Sequence, residues 1–185
     1  MSPKKYALMV AVLTSFLTPF VGSSINIALP SIGMEFNASA ILLGWIPTTY
    51  LLALAVCLVP FGRIADIYGR KRVFTWGIIL FTVSSFLATM SFSMDMLLLF
   101  RVLQGAGSAM IFGNLFAIIA SIFPASERGK ALGITITGAF LGLFLGPVLG
   151  GFLTEYFGWR SIFFFNVPLG GPGHHRSNSG RRRMG

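Results

Sequence analysis

The 185 residues are 55% hydrophobic and only 10% charged, with a mean hydropathy of +0.80. That balance excludes an ordinary soluble domain, in which about a quarter of the residues carry charge. The formal charge of +9 does not point to nucleic acid, because the basic residues sit in short clusters between apolar runs instead of lining one polar face.

Crossing the roughly 30 Å of bilayer hydrocarbon takes about 20 apolar residues in a helix. Five stretches qualify in chain order: residues 6–32, 41–61, 73–92, 96–123 and 131–157. The first is long enough to span and lacks a small-residue cleavage site, so it reads as a helix and not as a signal peptide. The polar hinges between and after the stretches are "GMEFNAS", "GRIADIYGRKR", "SMD", "PASERGK" and "EYFGWR". The lone Cys57 lies inside an apolar run, so no internal disulfide can form.

Lysine and arginine placement sets the expected orientation. Lys4, Lys5, Arg63, Arg70, Lys71, Arg72, Arg128 and Lys130 collect on one side, against Arg160 alone on the other before residue 170. The expectation is a multi-pass plasma-membrane protein with its amino terminus in the cytoplasm. All five carboxylates, Glu35, Asp66, Asp95, Glu127 and Glu155, fall in or beside hinges.

One charge does lie deep inside a span. A charged side chain at the bilayer centre costs roughly 2.5–3.5 kcal/mol on insertion scales, yet the fourth stretch keeps Arg101. Arg101, Gln104, Gly105 and Ser108 recur at i, i+3, i+4 and i+7, which makes one polar, small-residue stripe. Such a stripe should face a water-filled cavity or the bundle interior. Ser15, Thr18, Gly22 and Asn26 form a similar face on the first span. On the fifth, Gly138, Gly142, Gly146 and Gly150 stand four apart, a surface for close helix approach, and Pro147 removes a backbone hydrogen bond there. That glycine face is expected to be unpaired and to drive self-association or rapid proteolysis.

"GRIADIYGRKRVF" (Gly62–Phe74) and "GFLTEYFGWRSIF" (Gly151–Phe163) match at a constant offset of 89 residues, with Gly62, Gly69 and Phe74 answered by Gly151, Gly158 and Phe163. The two copies follow the second and fifth spans and so face opposite sides. That is an inverted repeat of three spans, an arrangement typical of secondary transporters.

These segments resemble the major facilitator superfamily, and within it the drug/proton antiporter branch with fourteen spans. The hinge is similar to the family's loop between spans two and three through Gly62, Asp66, Gly69, Arg70 and Lys71. "RVLQGAG" is similar to its fourth-span motif through Arg101, Gln104, Gly105 and Gly107. "GLFLGPVLGG" is similar to its fifth-span antiporter motif through Gly142, Gly146, Pro147, Gly150 and Gly151. "NIALPSI" and "WIPTTY" are similar to further segments of that branch.

The resemblance implies an all-α integral membrane fold, the amino-terminal bundle of a facilitator, with five complete helices and the start of a sixth. It implies proton-coupled efflux of small amphipathic compounds, with the proton gradient as energy source and no cofactor. Arg101, Gln104, Ser108, Asn26 and Gly22 would line the path, and Gly62, Asp66, Gly69, Arg70, Lys71 and Glu127 would form a cytoplasmic latch. An Arg70–Glu127 bridge and turns at Gly62 and Gly69 are expected in that latch. One departure is Val21, where the family often carries an aspartate. The rival readings are an importer or metabolite exporter, and a membrane scaffold that transports nothing.

Residues 1–169 carry this pattern, whereas "GPGHHRSNSGRRRMG" is basic and has no apolar run. Residues 170–185 are expected to be a disordered tail from a frameshift or truncation, leaving a fragment that needs a carboxy-terminal half to work. Adjacent His174 and His175, without further ligands, do not make a metal site, and no enzyme constellation is present. The expected partners are the lipid bilayer and a small-molecule substrate.

Overall fold

A computed structural model describes residues 3–165. It contains six helices: α1 Pro3–Phe36, α2 Ala40–Tyr68, α3 Arg70–Thr89, α4 Met94–Ile122, α5 Ala125–Phe157 and the short α6 Arg160–Phe164. The first five are long and apolar enough to cross a membrane. The expected basic tail, His174 and His175 included, lies outside the described residues.

Most helices extend past the apolar stretches into the hinges. Charged residues at a membrane surface do not break a helix. "GRIADIYGRKR" is therefore helical except at Gly69, whose φ of +98° requires the left-handed freedom of glycine. Gly62 lies within α2 and makes no turn, a correction to the two-glycine hinge. Phe123 and Pro124, both in extended backbone, interrupt the passage to the helical start of α5 through "ASERGK". At the other end of the bundle, Ser39 and Ser93 accept hydrogen bonds from the Leu42 and Met96 backbone N–H groups as N-caps of α2 and α4.

The long helices do not pack chiefly on their neighbours in sequence. α1 lies along α5, while α4 runs between α2 and α3. The glycines decide how close these pairs come. A methyl group placed on Gly142 would lie 3.2 Å from the Phe16 Cα and closer still to its carbonyl oxygen. One on Gly105 would lie 2.9 Å from the Ala53 Cβ and 3.2 Å from the Leu54 backbone nitrogen. Helix backbones thus touch without side chains between them, as small residues allow in a membrane.

The glycine face of α5 is consequently filled from within. Gly138 meets Val12, Gly142 meets Phe16, Gly146 meets Ser23, and Gly150 meets Ser24, whose hydroxyl donates to the Gly146 carbonyl at 2.8 Å. The expected self-association through an unpaired face is corrected: α1 covers it.

The offset of 89 organises the three-dimensional structure too. Gly69 and Gly158 are the positive-φ glycines of the described chain, and each ends a long helix by returning its N–H to the carbonyl four residues back. The contact of Phe16 with Gly142 is answered, at the same offset, by that of Gly105 with Ala53. α1 on α5 and α4 on α2 are therefore the same packing made twice.

Candidate functional site

Arg101 is completely buried. The stripe on α4 turns inward and meets α2 and α3. The Arg101 Nε donates to the Ile46 carbonyl of α2 at 3.2 Å, and Nη1 donates to the Gln104 Oε1 at 2.6 Å. The Gln104 amide nitrogen donates in turn to the Ser85 hydroxyl of α3 at 2.6 Å. Below them the Ser108 hydroxyl lies 2.9 Å from the Tyr50 hydroxyl and donates to the Gln104 carbonyl at 3.0 Å. Three helices are joined by this one polar line.

The Tyr50 ring lies against the guanidinium, with the Arg101 Cζ 4.3 Å from its centroid, and the Phe163 ring is 6.0 Å away. Ring faces attract a cation, more strongly where water is excluded. Arg101 forms no ion pair among the described residues; ring faces, a carbonyl and an amide oxygen surround its charge. The remaining terminal nitrogen, Nη2, is buried without a hydrogen-bond partner.

The first-span residues divide. Gly22 stands beside Tyr50, where an added methyl would be 3.9 Å from the ring. Asn26 is exposed on α1, and its amide donates to the Gly22 carbonyl of its own helix at 3.4 Å. Sequence reasoning missed Tyr50, Ser85 and Ile46. Tyr50 stood within the "WIPTTY" segment, but no spacing rule links it to a residue 51 positions away.

The latch residues are arranged differently from expectation. Arg70 turns back on its own corner and donates to Asp66 Oδ1 from Nε and Nη2, at 3.3 and 3.1 Å. Glu127 instead pairs with Lys4 at 3.4 Å. The Arg70–Glu127 bridge is absent among the described residues, because the turn at Gly69 already brings the Asp66 carboxylate, from the end of α2, against Arg70 at the start of α3. Both pairs are about half exposed, and such pairs contribute about 0–1 kcal/mol.

At the opposite end stands a denser clasp. The Trp159 indole N–H donates to Glu35 Oε2 at 2.7 Å, and Arg160 lies 2.7 Å from Glu35 Oε1. Arg160 also donates to the Ser91 carbonyl at 2.9 Å, tying the ends of α1, α3 and α6 together. Glu35 lies beyond the apolar 6–32 stretch. Partial burial pushes its carboxyl up, but the Trp159 and Arg160 hydrogen bonds and the Arg160 charge outweigh that and hold it below the ordinary 4.5.

A lowered folded pKa means stability present above the unfolded value and lost as pH falls through the folded one. Wild type should therefore melt above Glu35→Gln by a constant margin near neutrality, worth about 0.2–1 kcal/mol for so exposed a pair. The margin should shrink on acidification below about pH 4.5. Thermal midpoints of the two purified chains against pH measure this; a margin independent of pH contradicts it.

An all-helical bundle that spans the bilayer and buries an arginine among polar side chains defines a multi-pass membrane protein with a polar centre. A family model described as Major Facilitator Superfamily matches residues 11–173. The chain is 36% identical over 170 residues to the riboflavin transporter RibZ of Clostridioides difficile, covering 92% of this chain and 37% of that protein. It is 38% identical over 153 residues to a probable actinorhodin transporter of Streptomyces coelicolor, covering 80% and 26%. It is also 37% identical over 147 residues to the multidrug resistance protein Stp of Mycobacterium tuberculosis, covering 79% and 27%. This chain belongs to the major facilitator superfamily. It spans about a quarter to two-fifths of the length of these relatives.

Proposed function

We propose that the chain supplies most of the amino-terminal bundle of a proton-coupled exporter of small amphipathic compounds, with its amino terminus on the cytoplasmic side. The observation that carries this reading is the buried, carboxylate-free Arg101 with an unpartnered Nη2. Keeping a cation in a membrane bundle without a counter-ion is costly, and such residues mark transport pathways. Arg101, Gln104 and Ser108 form the path wall, with Gly22 giving room beside Tyr50 and Asn26 facing outward from α1. The names of relatives as a riboflavin transporter, a probable actinorhodin transporter and a multidrug resistance protein support a small-molecule cargo.

Alternating access requires two bundles rocking about a central site. The apolar stretches of the described spans contain no histidine and one carboxylate, Glu155, in the last turn of the fifth at its membrane-surface end, and arginine does not release its proton at working pH. The proton carrier therefore lies in a second bundle or at the membrane-surface acids Asp66 and Glu127. Gly62 and Lys71 belong to the same corner as Asp66, Gly69 and Arg70, which gates the cytoplasmic end. The α5 series ending in Gly150 and Gly151, with Pro147, sets the position of α5 on α1.

The test is dye efflux driven by a pH gradient in proteoliposomes. The 185-residue chain should give no more efflux than protein-free vesicles. A chimaera with residues 11–165 spliced into the matching stretch of the mycobacterial Stp protein should export, and Arg101→Ala should abolish that export. Efflux from the chain alone removes the two-bundle requirement. An inserted chimaera that exports equally well with Arg101→Ala removes the path.

A further inference from the structure

At the end of the bundle where α2 turns into α3, an open cavity of about 520 Å³ lies between the Gly69 corner and the last turns of α4. Ala117 and Ile118 of α4 give it an apolar side. Tyr68, Arg70, Lys71 and Arg72 give it a polar and cationic one. Asp66 also borders it, but its carboxylate is engaged by Arg70 through two hydrogen bonds. Lys71 and Arg72 are exposed and form no ion pair with any described residue.

Two uncommitted cations beside an apolar wall, at the level where the apolar part of α2 gives way to charge, suit one kind of molecule. A soluble anion gains nothing from Ala117 and Ile118, and a neutral lipid gains nothing from Lys71 and Arg72. Basic pockets between transmembrane helices bind anionic head groups, and a cation near an anionic membrane surface contributes about fivefold in affinity.

We infer that this cavity seats an anionic phospholipid, its phosphate against Lys71 and Arg72 and its upper acyl chains against Ala117 and Ile118. The site is independent of Arg101 and of whatever the transporter carries. Loss of both cations should weaken binding about thirtyfold, at roughly fivefold each.

The experiment is native mass spectrometry of the purified chain, released from micelles after titration with dioleoyl phosphatidylglycerol or dioleoyl phosphatidylcholine. Phosphatidylglycerol should be retained in preference. Lys71→Gln with Arg72→Gln should bring its retention down to that of phosphatidylcholine. The charge-conserving exchange Lys71→Arg with Arg72→Lys should retain the preference, and so should Lys130→Gln, which lies outside the cavity. Circular dichroism of each variant excludes a folding defect. Equal retention of both lipids by wild type, or undiminished retention by the double glutamine variant, overturns the inference. Displacement of the lipid by millimolar glycerol phosphate overturns it as well, since the site would then be one for soluble phosphate.

Discussion

Gly142→Leu should leave the chain without a stable folded bundle, whereas Gly133→Ala should leave it slightly more stable than wild type. At Gly142 any added carbon enters the space of the Phe16 backbone. The obstacle is main chain, so a side-chain rotation cannot relieve it. Overpacking typically costs about 1–3 kcal/mol, and an isobutyl group there must push α1 away from α5 along its length. That separation also strands the hydrogen bond from Ser24 to the Gly146 carbonyl. Lipid tails offer these helices as apolar a surface as they offer each other, so close packing has no hydrophobic substitute. At Gly133, by contrast, an added methyl meets nothing within 4 Å, and alanine favours the helix by roughly 0.5–1 kcal/mol. Thermal unfolding of the detergent-purified chains, followed by loss of the monodisperse species on size exclusion, reads both signs. An unchanged midpoint for Gly142→Leu would mean that α1 and α5 do not pack this way.

Arg101→Met should separate stability from transport. The substitution removes a buried charge that has no carboxylate partner, and with it that charge's desolvation cost; even whole buried ion pairs are replaced by apolar residues at a neutral or stabilising change of about 1–4 kcal/mol. Against that, Gln104 loses the donor to its Oε1, at about 1–3 kcal/mol for an unsatisfied buried acceptor. The two terms nearly offset, so the stability should stay within about 2 kcal/mol of wild type. Export by the chimaera should nevertheless fall to background. Arg101→Lys should keep part of it, because a single ammonium cannot reach the Ile46 carbonyl and Gln104 together as the guanidinium fork does. Normal export by the methionine variant would make the arginine dispensable. A collapse in midpoint comparable with that of Gly142→Leu would make it a structural keystone instead of a functional group.

The number and order of the spans were legible because bilayer thickness imposes a minimum apolar length that no tertiary contact can override. The inward aspect of Arg101, Gln104 and Ser108 was legible for a related reason: helical spacing puts them on one face, and lipid does not tolerate that face. The helix ends were less so. Arg63, Asp66 and Arg70 look like a loop by polarity, yet polarity at a membrane surface carries no penalty for helix, and Gly69 alone breaks the run. Partners remote in sequence were not legible at all. Nothing in the spacing of Gly138 to Gly150 states that α1 fills that groove, and nothing near Glu127 states that Lys4 takes it from Arg70.

The pairing of α1 with α5 also carries a consequence for how the chain is made. Ser24 and the Gly146 carbonyl are 122 residues apart, and at ribosomal speeds of about 5–20 residues per second the second follows the first by roughly 6–25 s. Throughout that interval the small, polar face of α1, with Ser23 and Ser24 on it, has no α5 to meet. α2 waits in the same way for α4, though for less time. Lipid or the insertion machinery must hold these helices apart from wrong neighbours, and the bundle closes only when the fifth helix arrives.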